Sequence, residues 1–215
     1  MKTEITMKRI AWLGVAFSVV HSGFVAGMDV PDDAEDVQPV AVGDAAPQFT
    51  VYEVNGEPYL FEPGKLQKPV VLITYRGGWC PYCNMHLKEL REAEPRLLEM
   101  GFEVIFLSTD RPEILYASLF DYVKDVEYTL LSDSKMDASR ALGIAFRVDD
   151  AEYERMKSLG VDLEEASGET HHELPVPAVF IIDTAGTIRF AHVNPDYKVR
   201  LEGEAILTAA QQVVN

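Results

Sequence analysis

The chain has 215 residues, 25% of them charged and 47% hydrophobic, with a formal net charge of −16 and only two cysteines. That length suits one domain with a full-sized core. So acidic a surface repels nucleic acid and anionic lipid, which excludes polyanion binding as the main role.

The N-terminus opens with Lys2, Lys8 and Arg9, runs apolar from Ile10 to Val20 and turns to small residues around Gly23, Ala26 and Gly27. This layout predicts a cleaved secretory signal peptide over 1–27, and hence a periplasmic or secreted protein. His21 and Ser22 interrupt the run before it reaches the roughly 18 apolar residues of a membrane span. No cysteine follows it to carry a lipid anchor. Residues 28–41, acidic with prolines and valines, read as a linker, and 42–215 as the folded domain.

Phe49 and Val51 alternate with polar neighbours as in a strand, and Asn55-Gly56 predicts a hairpin turn before Tyr59-Leu60-Phe61. Val70 to Thr74 is a short apolar run of the buried-strand kind, broken by Gly77 and Gly78. Pro81 then opens a helix carrying Met85, Leu87, Leu90, Leu97 and Leu98, which Pro95 is expected to bend and Gly101 to close. Phe102 to Leu107 predicts a strand, Pro112 a helix with Ile114, Leu115, Leu119 and Tyr122, Tyr128 to Leu131 another strand, and Met136 to Ile144 a short helix.

From Asp149 to Leu174 the chain is strongly acidic. Part of this insertion should be a surface helix ending at Gly160; a solvated excursion is the simpler reading, and a lid over the site is the alternative. Ala178 to Ile182 and Thr187 to Val193 predict a hairpin around Asp183-Thr184-Ala185-Gly186. A last helix holds Ile206, Leu207 and Ala210. Strands alternating with helices, then a closing hairpin and helix, describe an α/β layer fold.

Both cysteines lie in Trp79-Cys80-Pro81-Tyr82-Cys83, at the joint between a buried strand and a helix. Residues three apart on a helix have Cα atoms about 5 Å apart, within the reach of a disulfide. Cys80 stands at the helix start, where free backbone N–H groups and the positive end of the dipole favour a thiolate. Cys83, one turn further in, is placed to attack a mixed disulfide on Cys80. The pattern therefore predicts a redox dithiol with Cys80 as nucleophile and Cys83 as resolving thiol. A structural staple would gain only about 2 kcal/mol from so small a loop. The other alternative is a copper or zinc carrier in which the dithiol is joined by His171 or His172, although adjacent histidines are poorly spaced for joint ligation. A redox-inert interaction module with an idle dithiol is a third reading.

This order of elements around the dithiol resembles the thioredoxin superfamily. Within it, Val42-Gly43-Asp44-Ala45-Ala46-Pro47-Gln48-Phe49-Thr50, Ser108-Thr109-Asp110 and Phe180-Ile181-Ile182-Asp183-Thr184-Ala185-Gly186 are similar to landmarks of the AhpC/TSA, peroxiredoxin-like branch. The resemblance implies a thioredoxin-like fold, a central mixed sheet flanked by helices, with an N-terminal β-hairpin and the acidic insertion before a cis-proline strand. It implies a cis bond at Val176-Pro177, with the Val176 backbone offered to a substrate disulfide and Pro175 stiffening the approach. One departure concerns peroxide chemistry: the proline and hydroxyl residue that support the attacking cysteine in this branch are here Ile73 and Gly77.

Lowering the Cys80 pKa from about 8.5 to 6.5 would raise the thiolate fraction about tenfold, and intrinsic nucleophilicity would fall by roughly as much. Fast peroxide reduction therefore needs donors around the breaking O–O bond. Arg76 is the nearest candidate, Trp79 is expected to shield the dithiol, and Arg189 and Arg147 are weaker candidates. The resulting expectation is an exported, antioxidant-type thiol oxidoreductase that reduces disulfides or peroxides and leaves a Cys80–Cys83 bridge. It would be regenerated by a thiol reductant protein, thioredoxin-like or membrane-bound. It would need no metal, flavin or nucleotide, and the sequence shows no Gly-rich phosphate loop.

Overall fold

The computed structural model describes residues 29–122 and 129–214. The expected signal peptide over 1–27 and the first residue of the expected strand at Tyr128 lie outside them. Seven strands make the main sheet: β1 (Phe49–Glu53), β2 (Pro58–Phe61), β3 (Val70–Tyr75), β4 (Glu103–Ser108), β5 (Thr129–Ser132), β8 (Ala178–Ile182) and β9 (Ile188–Val193). The sheet is mixed and runs in the order β2-β1-β5-β4-β3-β8-β9. The helices are α1 (Pro81–Glu99), α2 (Pro112–Tyr122), α3 (Asp137–Ala141), α4 (Asp150–Ser158), α5 (Leu163–Ser167) and α6 (Gly203–Val214).

Every residue of β3 is buried, because it is flanked by β4 in parallel and β8 antiparallel and covered on both faces. Side chains alternate across the sheet. Val70 and Leu72 join Phe49, Phe61, Leu142 and Phe180 on one face, while Val71 and Ile73 join Leu90, Leu97 and Ile206 on the other. The second face is the one that α1 and α6 cover. Helix α1 runs unbroken past Pro95 to Glu99, and Gly101, whose φ of 88° suits glycine, turns the chain just after it.

Two strands that sequence patterning did not announce, β6 (Ala145–Arg147) and β7 (Glu173–Pro175), pair antiparallel as a separate ribbon. They are three residues each, too short to show a period. The ribbon stitches together the base of the acidic insertion. Within the insertion Asp149 and Asp162 cap α4 and α5. Val148, Tyr153, Met156, Leu163 and Leu174 form a small core against which Trp79 packs. The insertion is thus packed onto the domain and is not a solvated excursion. Residues 29–41, expected as a linker, also lie on the domain. Arg147 N donates to Pro31 O at 2.8 Å, Val40 N donates to Leu142 O at 3.1 Å, and Val37 and Val40 touch the main core.

The Val176-Pro177 bond is trans, as is every peptide bond among the described residues, so the expected cis-proline is corrected. Thr74 brackets this proline. Its Oγ1 donates to Val176 O at 3.3 Å and accepts from Ala178 N at 2.9 Å, while Val176 N donates to Ile144 O at 2.8 Å. The entry to β8 is therefore tied on both sides of the ring without a cis turn. Thr74→Val keeps the shape but leaves two buried backbone groups unpaired, and should cost about 1–3 kcal/mol. A urea midpoint equal to that of the parent protein would contradict this assignment.

Candidate active site

The turn between β3 and α1 is held from two sides. Gly77 has a φ of 143°, and a Cβ there would stand 2.3 Å from Trp79 Nε1 and 2.7 Å from Asp110 Oδ1. Only glycine lets the indole and the carboxyl close over the turn. From the end of β4, Asp110 Oδ2 accepts from Gly78 N at 2.6 Å and Thr109 Oγ1 donates to Arg76 O at 2.5 Å. From α1, Asn84 Nδ2 donates to Gly78 O at 2.8 Å.

This clamp sets Cys80 at the N-cap of α1, ahead of Pro81 in the first helical position, which fixes the helix start. Both thiols are free, and they are almost sealed: Cys80 is 2% exposed and Cys83 0%. The Cys83 side chain hydrogen-bonds to Cys80. That bond, followed by the Cys83 backbone N–H and the charges of Arg76 and Arg200, pulls the Cys80 thiol down to about 6 against the opposing effect of burial. Cys83 moves the other way. Burial pushes its thiol up, as do the bond to Cys80 and that neighbour's negative charge, while Arg200 pulls partly back.

Arg76, which in an open site would be a surface residue, is 9% exposed. Its guanidinium carbon lies 5.2 Å from the centroid of the Trp79 ring and 4.3 Å from that of Tyr197. Arg200 Nη2 donates to Cys83 Sγ at 3.2 Å. Arg76 Nε and Arg200 Nε and Nη1 are buried with no protein partner, so two cations keep spare donors beside the sulfurs. Sequence reasoning found Arg76 and missed Arg200 and Tyr197. Both sit in the connection between β9 and α6, where no local pattern marks them.

The other candidates sort clearly. Trp79 is half-buried between the Arg76 guanidinium and the core of the insertion. The Val176 N–H donates to Ile144 O and its C=O accepts from Thr74 Oγ1, and Pro177 O accepts from Asn194 N at 3.2 Å. His171 Nδ1 accepts from Glu173 N at 2.9 Å, so its Nε2, 2.8 Å from Ser134 O, is the donor. His172 stacks on Tyr153 and contacts Glu164. Arg147 faces Asp32 and Arg189 faces Asp183. Among the described residues no group of three or more His, Cys, Asp or Glu is placed to hold a metal ion. A groove of about 840 Å³ runs beside the turn between α1, α2 and the insertion; Gly78, Trp79 and Asp110 line it, and neither cysteine does.

Residues 42–191 match the AhpC/TSA family. The chain belongs to that family. Peroxiredoxin Bcp of Escherichia coli is 30% identical over 108 residues, 50% of this chain and 67% of that protein. Thiol-disulfide oxidoreductase ResA of Bacillus cereus is 25% identical over 190 residues, 88% of this chain and 86% of that one. The solved structure of peroxiredoxin 5 from Alvinella pompejana has a TM-score of 0.61 at 21% identity, covering 81% of this chain and 99% of its own, which shows the shared thioredoxin-like fold. This AhpC/TSA member is a thiol-based redox enzyme. The family match stops at residue 191, so Tyr197 and Arg200 lie beyond it.

Proposed function

We propose that this AhpC/TSA protein is an exported peroxiredoxin-like oxidoreductase in which Cys80 attacks a peroxide or a disulfide and Cys83 resolves the product. The observation that carries the reading is the opposed bias of the two thiols: Cys80 is drawn down to about 6 and Cys83 is pushed up. One sulfur is thus an anion at neutral pH while its neighbour holds the proton needed later.

With a hydroperoxide, the Cys80 thiolate attacks the nearer oxygen, the O–O bond breaks, and the leaving alkoxide or hydroxide takes a proton to become alcohol or water. Cys80 becomes a sulfenic acid, and the sulfur has lost two electrons. Cys83 then attacks that sulfur; its proton leaves with the hydroxyl as water, and the Cys80–Cys83 bridge remains. With a disulfide, Cys80 forms a mixed disulfide and Cys83 displaces the second thiol. The spare donors of Arg76 and Arg200 would support the breaking bond in place of the branch's hydroxyl residue, which is Gly77 here.

An external dithiol protein, thioredoxin-like or membrane-bound, would return the bridge to the reduced state. Export rests on the basic start and apolar run at the N-terminus. Among the described residues no helix is long and apolar enough to cross a membrane. The metal-carrier alternative gains no support, because both adjacent histidines are committed elsewhere and no ligand cluster forms among the described residues.

The ultraviolet absorbance of the thiolate in the reduced protein should titrate with a midpoint near pH 6, present above it and lost below it. A midpoint at the free-cysteine value of about 8.5 would refute the activated nucleophile. Stopped-flow oxidation of the reduced protein tests the reaction itself. Oxidation by hydrogen peroxide and by a small disulfide no faster than that of free cysteine would overturn the proposal.

A further inference from the structure

Helix α1 packs against α6 along one flank. Along its other flank it faces α2 across the groove of about 840 Å³. Leu130 in the floor, Leu87 on α1, Ile114 on α2, and Trp79 and Val161 at the insertion give this groove apolar walls, and each is half-buried. Its volume falls in the range of small-molecule sites, about 300–1,000 Å³.

The charges are sorted along its length. Lys88 and Arg91, three residues apart on one face of α1, stand about 10 and 15 Å along the helix from Pro81. Among the described residues neither has an ion-pair partner, although the chain carries 35 acidic residues against 19 basic ones. The carboxyls that line the groove gather at the other end, where Arg111 N ties the insertion to the end of β4 by donating to Ala166 O at 2.8 Å. Two of them are occupied: Asp110 accepts from Gly78 N, and Asp162 caps α5 and holds Lys157 at 3.0 Å. Glu165 is exposed.

We infer that this groove is a binding site for a free, single-chain amphipathic carboxylate of the medium-chain fatty-acid type. The anionic head pairs with Lys88 and Arg91, and the alkyl tail lies along Leu87, Leu130 and Ile114 towards Val161. Two cations one helical turn apart offer a carboxylate charge-assisted hydrogen bonds. The tail gains by leaving water for apolar walls. Asp162 and Glu165 repel a second anion at the far end and so fix the orientation. A bilayer is not the source of the acid, because a surface of net charge −16 is repelled by anionic lipid. Neither cysteine lines the groove, so the ligand sits apart from the reacting sulfurs and the inference does not rest on the redox reading.

Isothermal titration calorimetry of the full chain with sodium dodecanoate tests the site. Saturable one-to-one binding is expected, with a dissociation constant of about 0.1 mM or tighter. Dodecyltrimethylammonium is the stringent comparison. The net charge alone favours that cation, whereas the groove should favour the anion by about tenfold or more. Dodecanedioate, whose second carboxylate would meet Asp162 and Glu165, should bind more weakly than dodecanoate. Lys88→Glu combined with Arg91→Glu should weaken dodecanoate binding by about tenfold or more. Ala117→Trp, which fills the groove from α2, should abolish it. The apolar run from Ile10 to Val20 is present in every variant, so any heat it contributes cancels in the comparison.

No saturable heat up to about 1 mM, tighter binding of the ammonium compound, or dodecanoate binding unchanged in the folded variants would each overturn the site. Dodecanedioate binding as tightly as dodecanoate overturns the orientation. If circular dichroism shows that one variant does not fold, the other decides; if neither folds, the comparison of anion with cation on the parent protein decides.

Discussion

Cys80→Ser is expected to lower oxidation by peroxide and by disulfides by roughly 10³-fold or more, because a serine hydroxyl is not ionised at neutral pH and nothing at this site deprotonates it. Cys83→Ser should behave differently. The first attack survives, since the helix N-terminus and both arginines still act on Cys80, but turnover halts after one equivalent with a sulfenic acid or mixed disulfide on Cys80. The asymmetry follows from position: Cys80 caps the helix, and Cys83 lies a turn deeper with its thiol pushed up by burial. Cys83→Ala, which unlike serine leaves no donor at 83, removes the hydrogen bond that contributes most to lowering Cys80, so its surviving thiolate should titrate above the parent's value of about 6. Mass spectrometry of trapped adducts decides the roles. Adducts on Cys83 in the Cys80→Ser protein, and none on Cys80 in its counterpart, would reverse them.

Stability should fall as pH rises from about 4 to about 6, which is unusual for an acidic domain. Burial pushes Asp110 up to about 6 despite hydrogen bonds from Gly78 N and Ser108 Oγ and the nearby Trp79 indole. It pushes Asp133 to about 6 despite those from the Ser139 hydroxyl and the Ala138 and Ser139 N–H groups. The folded protein therefore holds these two protons more tightly than the unfolded chain, whose carboxyls release them near 3.8. Below the unfolded value both states are protonated and the full stability is present. Between the two values only the unfolded chain ionises freely, and above the folded value the loss is complete. The gap from 3.8 to about 6 corresponds to about 3 kcal/mol for each group. Self-repulsion of the −16 charge eases in the same direction as the acid groups protonate. Asp110→Asn separates the two effects: it should flatten the pH dependence by about the share of one group. Thermal unfolding across this window checks it, and a melting temperature that climbs from pH 4 to 7 would contradict the assignment.

Most of the scaffold could be read from period and punctuation. Val70–Ile73 is an unbroken apolar run, read with Thr74 as a buried strand, because both faces of the central strand are covered, and Pro81 and Gly101 flag the two ends of α1 because each has one favoured place about a helix. The dithiol was legible because two cysteines three residues apart at such a joint have few other uses. What escaped notice depends on distance along the chain. Arg200 acts on Cys83 across a sequence separation of 117 residues, and nothing near Arg200 hints at a sulfur. Asp110 was visible as a landmark, but its pairing with Gly78 across the turn requires the parallel register of β3 and β4. The proline before β8 went wrong for a related reason: the hydroxyl that brackets it comes from Thr74, on the neighbouring strand. The insertion looked solvated because its charges dominate the composition. Its few apolar residues converge only once the β6–β7 ribbon closes.

Trp12 and Trp79 are the only tryptophans of the chain. A protein trimmed of its first 27 residues would keep Trp79 alone, lodged against the Arg76 cation, with its nitrogen next to the Asp110 carboxyl and its ring against the insertion. Its intrinsic fluorescence would then come from one fluorophore beside the reacting sulfurs, so thiol oxidation and the ionisation of Asp110 should each register in emission intensity without an added dye.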